Sequence, residues 1–125
     1  MRSDPPRVLI VDDDPAVRDI LAAVLRHEGW NADAVADGER AIECLELRPY
    51  DAMILDLLMP RVDGTGVIEY VRGRDLKMPV IVLSAVSTLK ANELDPHVVT
   101  VAMQKPFEIN ELRVVIRALR DSQKV

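Results

Sequence analysis

Cysteine is almost missing from this chain. Cys44 is the only one in 125 residues, so no internal disulfide can form and no thiolate zinc cluster can be built. Aromatic residues are equally scarce. One Phe, one Trp and two Tyr leave no stacking platform for single-stranded nucleic acid. Basic charge is not in excess either. Sixteen Lys and Arg against 21 Asp and Glu give a net charge of −5, whereas a phosphate backbone calls for a cluster of cations. Direct nucleic-acid binding by this domain is therefore not expected. No apolar run approaches the roughly 18 residues of a membrane span. The opening Met1-Arg2-Ser3-Asp4-Pro5-Pro6 lacks a signal-peptide core. No membrane association is expected, and the expected location is the cytoplasm.

What is present suffices for one domain. Apolar residues form 49% of the chain, and its length suits a single core. Residues 1–6 read as a tail, 7–121 as the domain and 122–125 as a second tail. Val8-Leu9-Ile10-Val11 is too short for a buried helix and reads as a buried strand. Asp14-Pro15 then starts a helix, with Asp as cap and Pro at the first position. Val17, Ile20, Leu21, Val24 and Leu25 follow the spacing of one helical face, and Gly29 stops it. Ala32 to Ala36 is a second strand, and Asp37 opens a second helix that uses Ala41, Ile42 and Leu45. The third strand, Ala52 to Leu55, ends at Asp56. Val67, Ile68 and Val71 mark a third helix. Pro79 precedes a fourth strand, Val80 to Ser84. Ser87 to Leu94 is weakly helical and is cut by Pro96, since an interior Pro costs about 3 kcal/mol. A fifth strand is expected over Val98 to Met103. The last helix runs from Glu108 to Arg120, with Ile109, Leu112, Ile116 and Leu119 inward. Cys44 reads as a helix residue facing the core, the Met residues as core filler, Trp30 as packing at the start of the second strand, and His27 and His97 as surface or helix-end groups and not ligands.

Five strand–helix units in alternation demand a parallel sheet covered on both faces. The reactive edge of such a sheet lies at the carboxyl ends of its strands. Asp12-Asp13 follow the first strand, Asp56 the third, Ser84 the fourth and Lys105 the fifth. Taken singly, each has a plain structural reading as a loop acid, a turn residue or a loop lysine, and Asp14 is accepted as a cap. Taken together they form a cluster. Two like charges about 4 Å apart repel by roughly 4 kcal/mol at an effective dielectric near 20. Three carboxylates and one ammonium carry a net charge of about −2, which one Mg²⁺ would cancel. All the ligands are oxygens, which suits magnesium and not zinc.

The segments Val8 to Pro15, Ile54 to Pro60 with Asp63-Gly64, Val82 to Ala85 and Lys105-Pro106-Phe107 resemble response-regulator receiver domains of two-component signalling. The resemblance spans nearly the whole chain in the family's order. It implies a flavodoxin-like, doubly wound α/β fold with a five-stranded parallel sheet of order 2-1-3-4-5 and a short fourth helix. It implies Asp56 as phosphoacceptor, and Mg²⁺ held by Asp12, Asp13, Asp56 and the backbone carbonyl of Leu58. Ser84 would be the switch hydroxyl and Lys105 the phosphate-binding lysine, joined to Pro106 by a cis peptide. The implied donor is the phosphohistidine of a sensor histidine kinase or a histidine phosphotransfer protein. The implied state is a monomer or a phosphorylation-dependent dimer, acting on an output domain or a downstream protein. A constitutive interaction module and an aspartate-nucleophile phosphatase are the competing readings. The phosphatase reading lacks the acid such enzymes carry two residues after the nucleophile, because Leu58 stands there.

Three departures from the family pattern stand out. Ala102 occupies the position of the usual aromatic three residues before the lysine. Pro96 falls where a fourth helix would run. Leu58 and Val86, two residues beyond Asp56 and Ser84, are apolar and cannot orient an attacking water, so slow autodephosphorylation is expected.

Overall fold

The computed structural model describes residues 5–57, 64–84 and 96–122. Five strands are present: β1 (Arg7–Val11), β2 (Asn31–Val35), β3 (Ala52–Asp56), β4 (Val80–Ser84) and β5 (Val101–Gln104). They form one parallel sheet in the order β2-β1-β3-β4-β5, as the resemblance implied. Four helices are seen among the described residues: α1 (Pro15–His27), α2 (Gly38–Leu47), α3 (Gly64–Gly73) and α4 (Ile109–Ser122). The expected short helix over Ser87 to Leu94 lies outside the described residues, as do Leu58 and Val86.

The sheet is covered on both faces, which is why β3 and β4 are buried at every residue and read as apolar runs up to their last residues, Asp56 and Ser84. Strand alternation divides the core in two. Val8, Ile10, Ile54, Ile81, Leu83 and Met103 face α1 and α4, where Leu21, Leu25, Leu112 and Ile116 meet them. Leu9, Val11, Met53, Leu55, Val80 and Val82 face the other way, onto Ala41, Val67 and Val71. Trp30 packs in the first of these clusters, just ahead of β2, as expected. Met53, Met78 and Met103 are buried, and half-buried Cys44 packs against the second cluster.

Local chemistry sets the helix ends. The Asp14 carboxylate accepts from the Ala16 N–H at 3.0 Å and caps α1, with Pro15 at its first position. Asp37 caps α2 by accepting from the Arg40 N–H at 2.8 Å. Gly29 adopts φ +92° beyond the end of α1. The Trp30 N–H then reaches the Leu25 carbonyl and the Gly29 N–H the Arg26 carbonyl, the bond pair of a left-handed helix stop.

Four expectations need correction. β2 begins one residue earlier than the alternation suggested. β5 begins at Val101, not Val98. Val98 is buried in the second core cluster from within a turn, so its apolar character reflects burial without strand pairing. Thr100 makes the first link to β4, its N–H donating to the Val80 carbonyl at 2.9 Å. Ile20 is 46% exposed, because it lies about 100° round the helix from Leu21, away from Ala22 and Leu25. Ile109 is 42% exposed, one turn ahead of Leu112, the first core residue of α4.

Candidate functional site

Register brings the chemistry to one edge. Val11 pairs with Leu55 and Asp56 with Leu83, so the residue after β1, Asp12, comes level with Asp56 at the end of β3. Ser84 pairs with Gln104, so Lys105 emerges one step beyond Ser84. The Lys105 N–H donates to the Ser84 carbonyl at 2.7 Å, and the Leu57 N–H to the Leu83 carbonyl at 3.2 Å. These bonds extend the ladder past the strands and hold both exits in place.

Alternation then selects a face. Asp12 follows the phase of Ile10, Asp56 that of Ile54 and Lys105 that of Met103, which all belong to the same core cluster. The three side chains meet accordingly. Lys105 Nζ lies 2.7 Å from Asp12 Oδ2 and 3.4 Å from Asp56 Oδ2. Ser84 takes the opposite phase, with Val80 and Val82, and is buried at the same edge. The Lys105–Pro106 peptide is cis.

Asp12 is fully buried and Asp56 nearly so. Buried carboxylates require partners, and Asp12 has one on each of its polar groups. Its N–H donates to the Val35 carbonyl at 3.2 Å. Its Oδ1 accepts from the Asp14 N–H at 2.9 Å and its Oδ2 from Lys105. Its carbonyl accepts from Arg18 Nη1 at 2.8 Å. Burial is the largest single influence on the Lys105 ammonium and pulls its pKa down. The hydrogen bond and charge of Asp12, followed by those of Asp56, outweigh it and hold the pKa above its ordinary value. Lys105 therefore stays protonated across the physiological range.

Asp13 lies beside this pair and is exposed. One carboxylate oxygen from each of Asp12, Asp13 and Asp56 falls within 4.8 Å of the other two. An all-oxygen donor set, acidic beyond what one lysine can offset and open to water on the Asp13 side, fits a hard divalent cation such as Mg²⁺. The backbone of Leu58, also expected as a ligand, lies outside the described residues. Sequence reasoning missed Arg18. The available signal was a lone cation one turn into the helix that follows three consecutive acids.

Comparison with known proteins agrees with this geometry. The family model described as the response regulator receiver domain matches residues 8–117. The response regulator MprA of Mycobacterium tuberculosis is 36% identical over 120 residues, which cover 90% of this chain and 50% of MprA. The chain spans about half the length of the curated relatives it matches. Among solved structures, the receiver domain of the Francisella response regulator 1452 aligns with a TM-score of 0.87 at 29% identity, covering 95% of this chain and 99% of that one. The response regulator TrrA of Thermotoga maritima, solved in complex with Mg²⁺-BeF, aligns with a TM-score of 0.81 at 31% identity, over 91% of this chain and 98% of that one. No helix among the described residues is long and apolar enough to cross a membrane. Sequence and fold agree over nearly the full length, and the chain belongs to the response regulator receiver domain family, the signalling domains of two-component systems.

Proposed function

We propose that this receiver domain accepts a phosphoryl group from a phosphohistidine onto Asp56, and that the modified domain changes its partner binding or its dimerisation. The donor is a sensor histidine kinase or a histidine phosphotransfer protein, and the setting is the cytoplasm. The observation that carries the reading is the placement of Lys105 Nζ between Asp12 and Asp56, within one cluster of three carboxylates.

Each residue has a task set by its position. Asp56 ends β3 with its carboxylate at the rim of the sheet, where an oxygen can attack phosphorus in line and form an acyl phosphate. The phosphohistidine nitrogen leaves and takes a proton. Lys105, kept cationic by its two acids, is placed to offset charge on a phosphoryl oxygen beside Asp56. Ser84 offers a hydroxyl at the end of the neighbouring strand. Asp12, Asp13 and Asp56, together with the Leu58 carbonyl, would hold Mg²⁺. When bound, Mg²⁺ supplies charge neutralisation for the phosphoryl oxygens. The similar protein TrrA carries Mg²⁺-BeF in its structure, which supports this assignment. Leu58 and Val86 are apolar and cannot themselves orient a hydrolytic water, so autodephosphorylation is slow and the domain acts as a signalling receiver and not as an enzyme on other substrates.

The test is incubation with MgCl₂ and acetyl phosphate. Stable incorporation of one phosphoryl group that Asp56→Asn abolishes is expected. No incorporation into the wild type would make the domain a constitutive interaction module, and continuous release of phosphate would make it a phosphatase.

A further inference from the structure

We infer that Arg18 is a positioning residue for the acidic cluster, holding the Asp12–Asp13 peptide so that both carboxylates converge on Asp56. This inference rests on the metal-dependent reading of the site given above. Arg18 lies one turn into α1, and its backbone N–H makes the ordinary helical bond to the Asp14 carbonyl at 3.0 Å. Its side chain does something a helix does not require. It turns back past the N-cap, and Nη1 donates to the carbonyl of Asp12 at 2.8 Å.

The Asp12 carbonyl lies beyond the last ladder residue of β1, Val11, so no neighbouring strand fixes it. The residue is fully buried, and a buried carbonyl without a donor is costly. The peptide unit is planar. Fixing the Asp12 carbonyl therefore also fixes the direction of the Asp13 N–H and Cα, and so where the Asp13 side chain starts. Asp12 has separate anchors for its N–H, Oδ1 and Oδ2, in Val35, Asp14 and Lys105. Arg18 supplies the remaining one, and its bond is the one that governs the orientation of the Asp12–Asp13 peptide plane.

Arg18 also brings a positive charge close to a cation site, and charge and geometry predict opposite signs on removal. If Arg18 acted only as a counter-charge, Arg18→Met would tighten Mg²⁺ binding. If it positions the ligands, the same substitution weakens binding, because groups that orient metal ligands typically contribute 10- to 100-fold to affinity.

The experiment compares wild type, Arg18→Met and Arg18→Lys. Mg²⁺ is titrated by calorimetry, and thermal melting of the metal-free proteins confirms that each is folded. Amide hydrogen exchange is followed without metal. Positioning predicts that Arg18→Met weakens Mg²⁺ binding about tenfold and that Arg18→Lys, which keeps one donor, recovers most of the loss. It further predicts that exchange quickens at residues 12–14, the Asp14 amide above all, while Leu21 to Leu25 in α1 are unchanged. With acetyl phosphate, Arg18→Met should label slowly at low Mg²⁺ and at the wild-type rate once Mg²⁺ saturates. Unchanged or tighter Mg²⁺ binding in Arg18→Met would overturn the inference, as would faster exchange throughout α1, the mark of a merely structural helix contact. Should the wild type bind Mg²⁺ but fail to label, the phosphoacceptor reading falls while the calorimetry and exchange still judge Arg18. Should it bind no Mg²⁺, both fall.

Discussion

At the carboxyl edge of the sheet the carboxylates of Asp12, Asp13 and Asp56 cluster, and one ammonium, that of Lys105, contacts Asp12 and Asp56. At the far end of α1 the proportions are reversed. The single carboxylate of Glu28 receives two hydrogen bonds from Arg117, at 2.8 and 3.2 Å, with Arg113 Nε 4.0 Å away. Arg120 Nη1 donates to the Glu28 backbone carbonyl at 2.9 Å. The hydrogen bond from Arg117 is the main cause that holds the Glu28 carboxyl below its ordinary pKa. Glu28 ends α1, and the three arginines sit on one side of α4, so this cluster ties two helices together and is complete in itself. In the acidic cluster the described residues show one lysine against three carboxylates. Both regions are rich in ionic contacts, and only the balance of charge separates a fastening from a site.

The largest test of that contrast is Mg²⁺ itself. A hundredfold excess over Kd should stabilise the wild type by about 2.7 kcal/mol, read as a rise in the urea midpoint. Asp56→Asn should lose that gain together with all phosphoryl incorporation. An equal Mg²⁺ response in Asp56→Asn would place the ion elsewhere.

Next in size is Gly29→Ala. Its φ of +92° disfavours any L side chain, and a Cβ there would stand 2.6 Å from Arg120 Nη1, loosening the Arg120 cap on α1. A destabilisation of about 2 kcal/mol is expected in urea unfolding, with the Mg²⁺ response intact. Loss of that response would mean the two regions are not independent.

Asp13→Asn should act with the opposite sign. Removing one of three like charges should stabilise the metal-free protein by about 1 kcal/mol or less while weakening Mg²⁺ binding. A drop in metal-free stability would show that the cluster is not strained by repulsion.

The smallest effect is expected at Glu28. Its pKa is lowered on folding, so its contribution is fully present above the unfolded value, near 4.5, and is lost as the pH falls through the folded one. Wild type should therefore be slightly more stable than Glu28→Gln at pH 7, and the difference should close at more acid pH and in high salt. A difference that grows below pH 4.5 would contradict the assignment of Arg117 as its partner.

Much of this was legible in the residues. Val8 to Val11 and Val80 to Leu83 are short apolar runs, too short for a buried helix and suited to a doubly covered strand. Asp14-Pro15 and Gly29 announce the two ends of α1 through capping chemistry that is local to a few residues. Asp12, Asp13, Asp56, Ser84 and Lys105 could be nominated because each follows a strand. The misreadings share a cause. Val98 is apolar because a turn is buried against the second core cluster, and Ile20 is apolar though α1 turns it outward. Periodicity reports that a residue is apolar; what it packs against is decided elsewhere. Arg18 gave only the weak signal of a cation one turn into α1, and the arginines around Glu28 gave none, since they lie far along the chain, Arg117 by 89 positions, and meet it only after folding.

By itself, then, the sequence determined the alternation of strands and helices, the caps, and the identity of the groups placed at strand ends, because these depend on backbone preferences and on spacing within a few residues. Only the tertiary structure decided that Lys105 would reach Asp12 across 93 positions at 2.7 Å, that Asp13 would stand open to water beside a buried neighbour, and that, among the described residues, one lysine would meet the acidic cluster while three arginines gather at Glu28. Charge balance is a property of distances between remote residues, and those distances follow from sheet register and helix packing, which exist only in the folded chain.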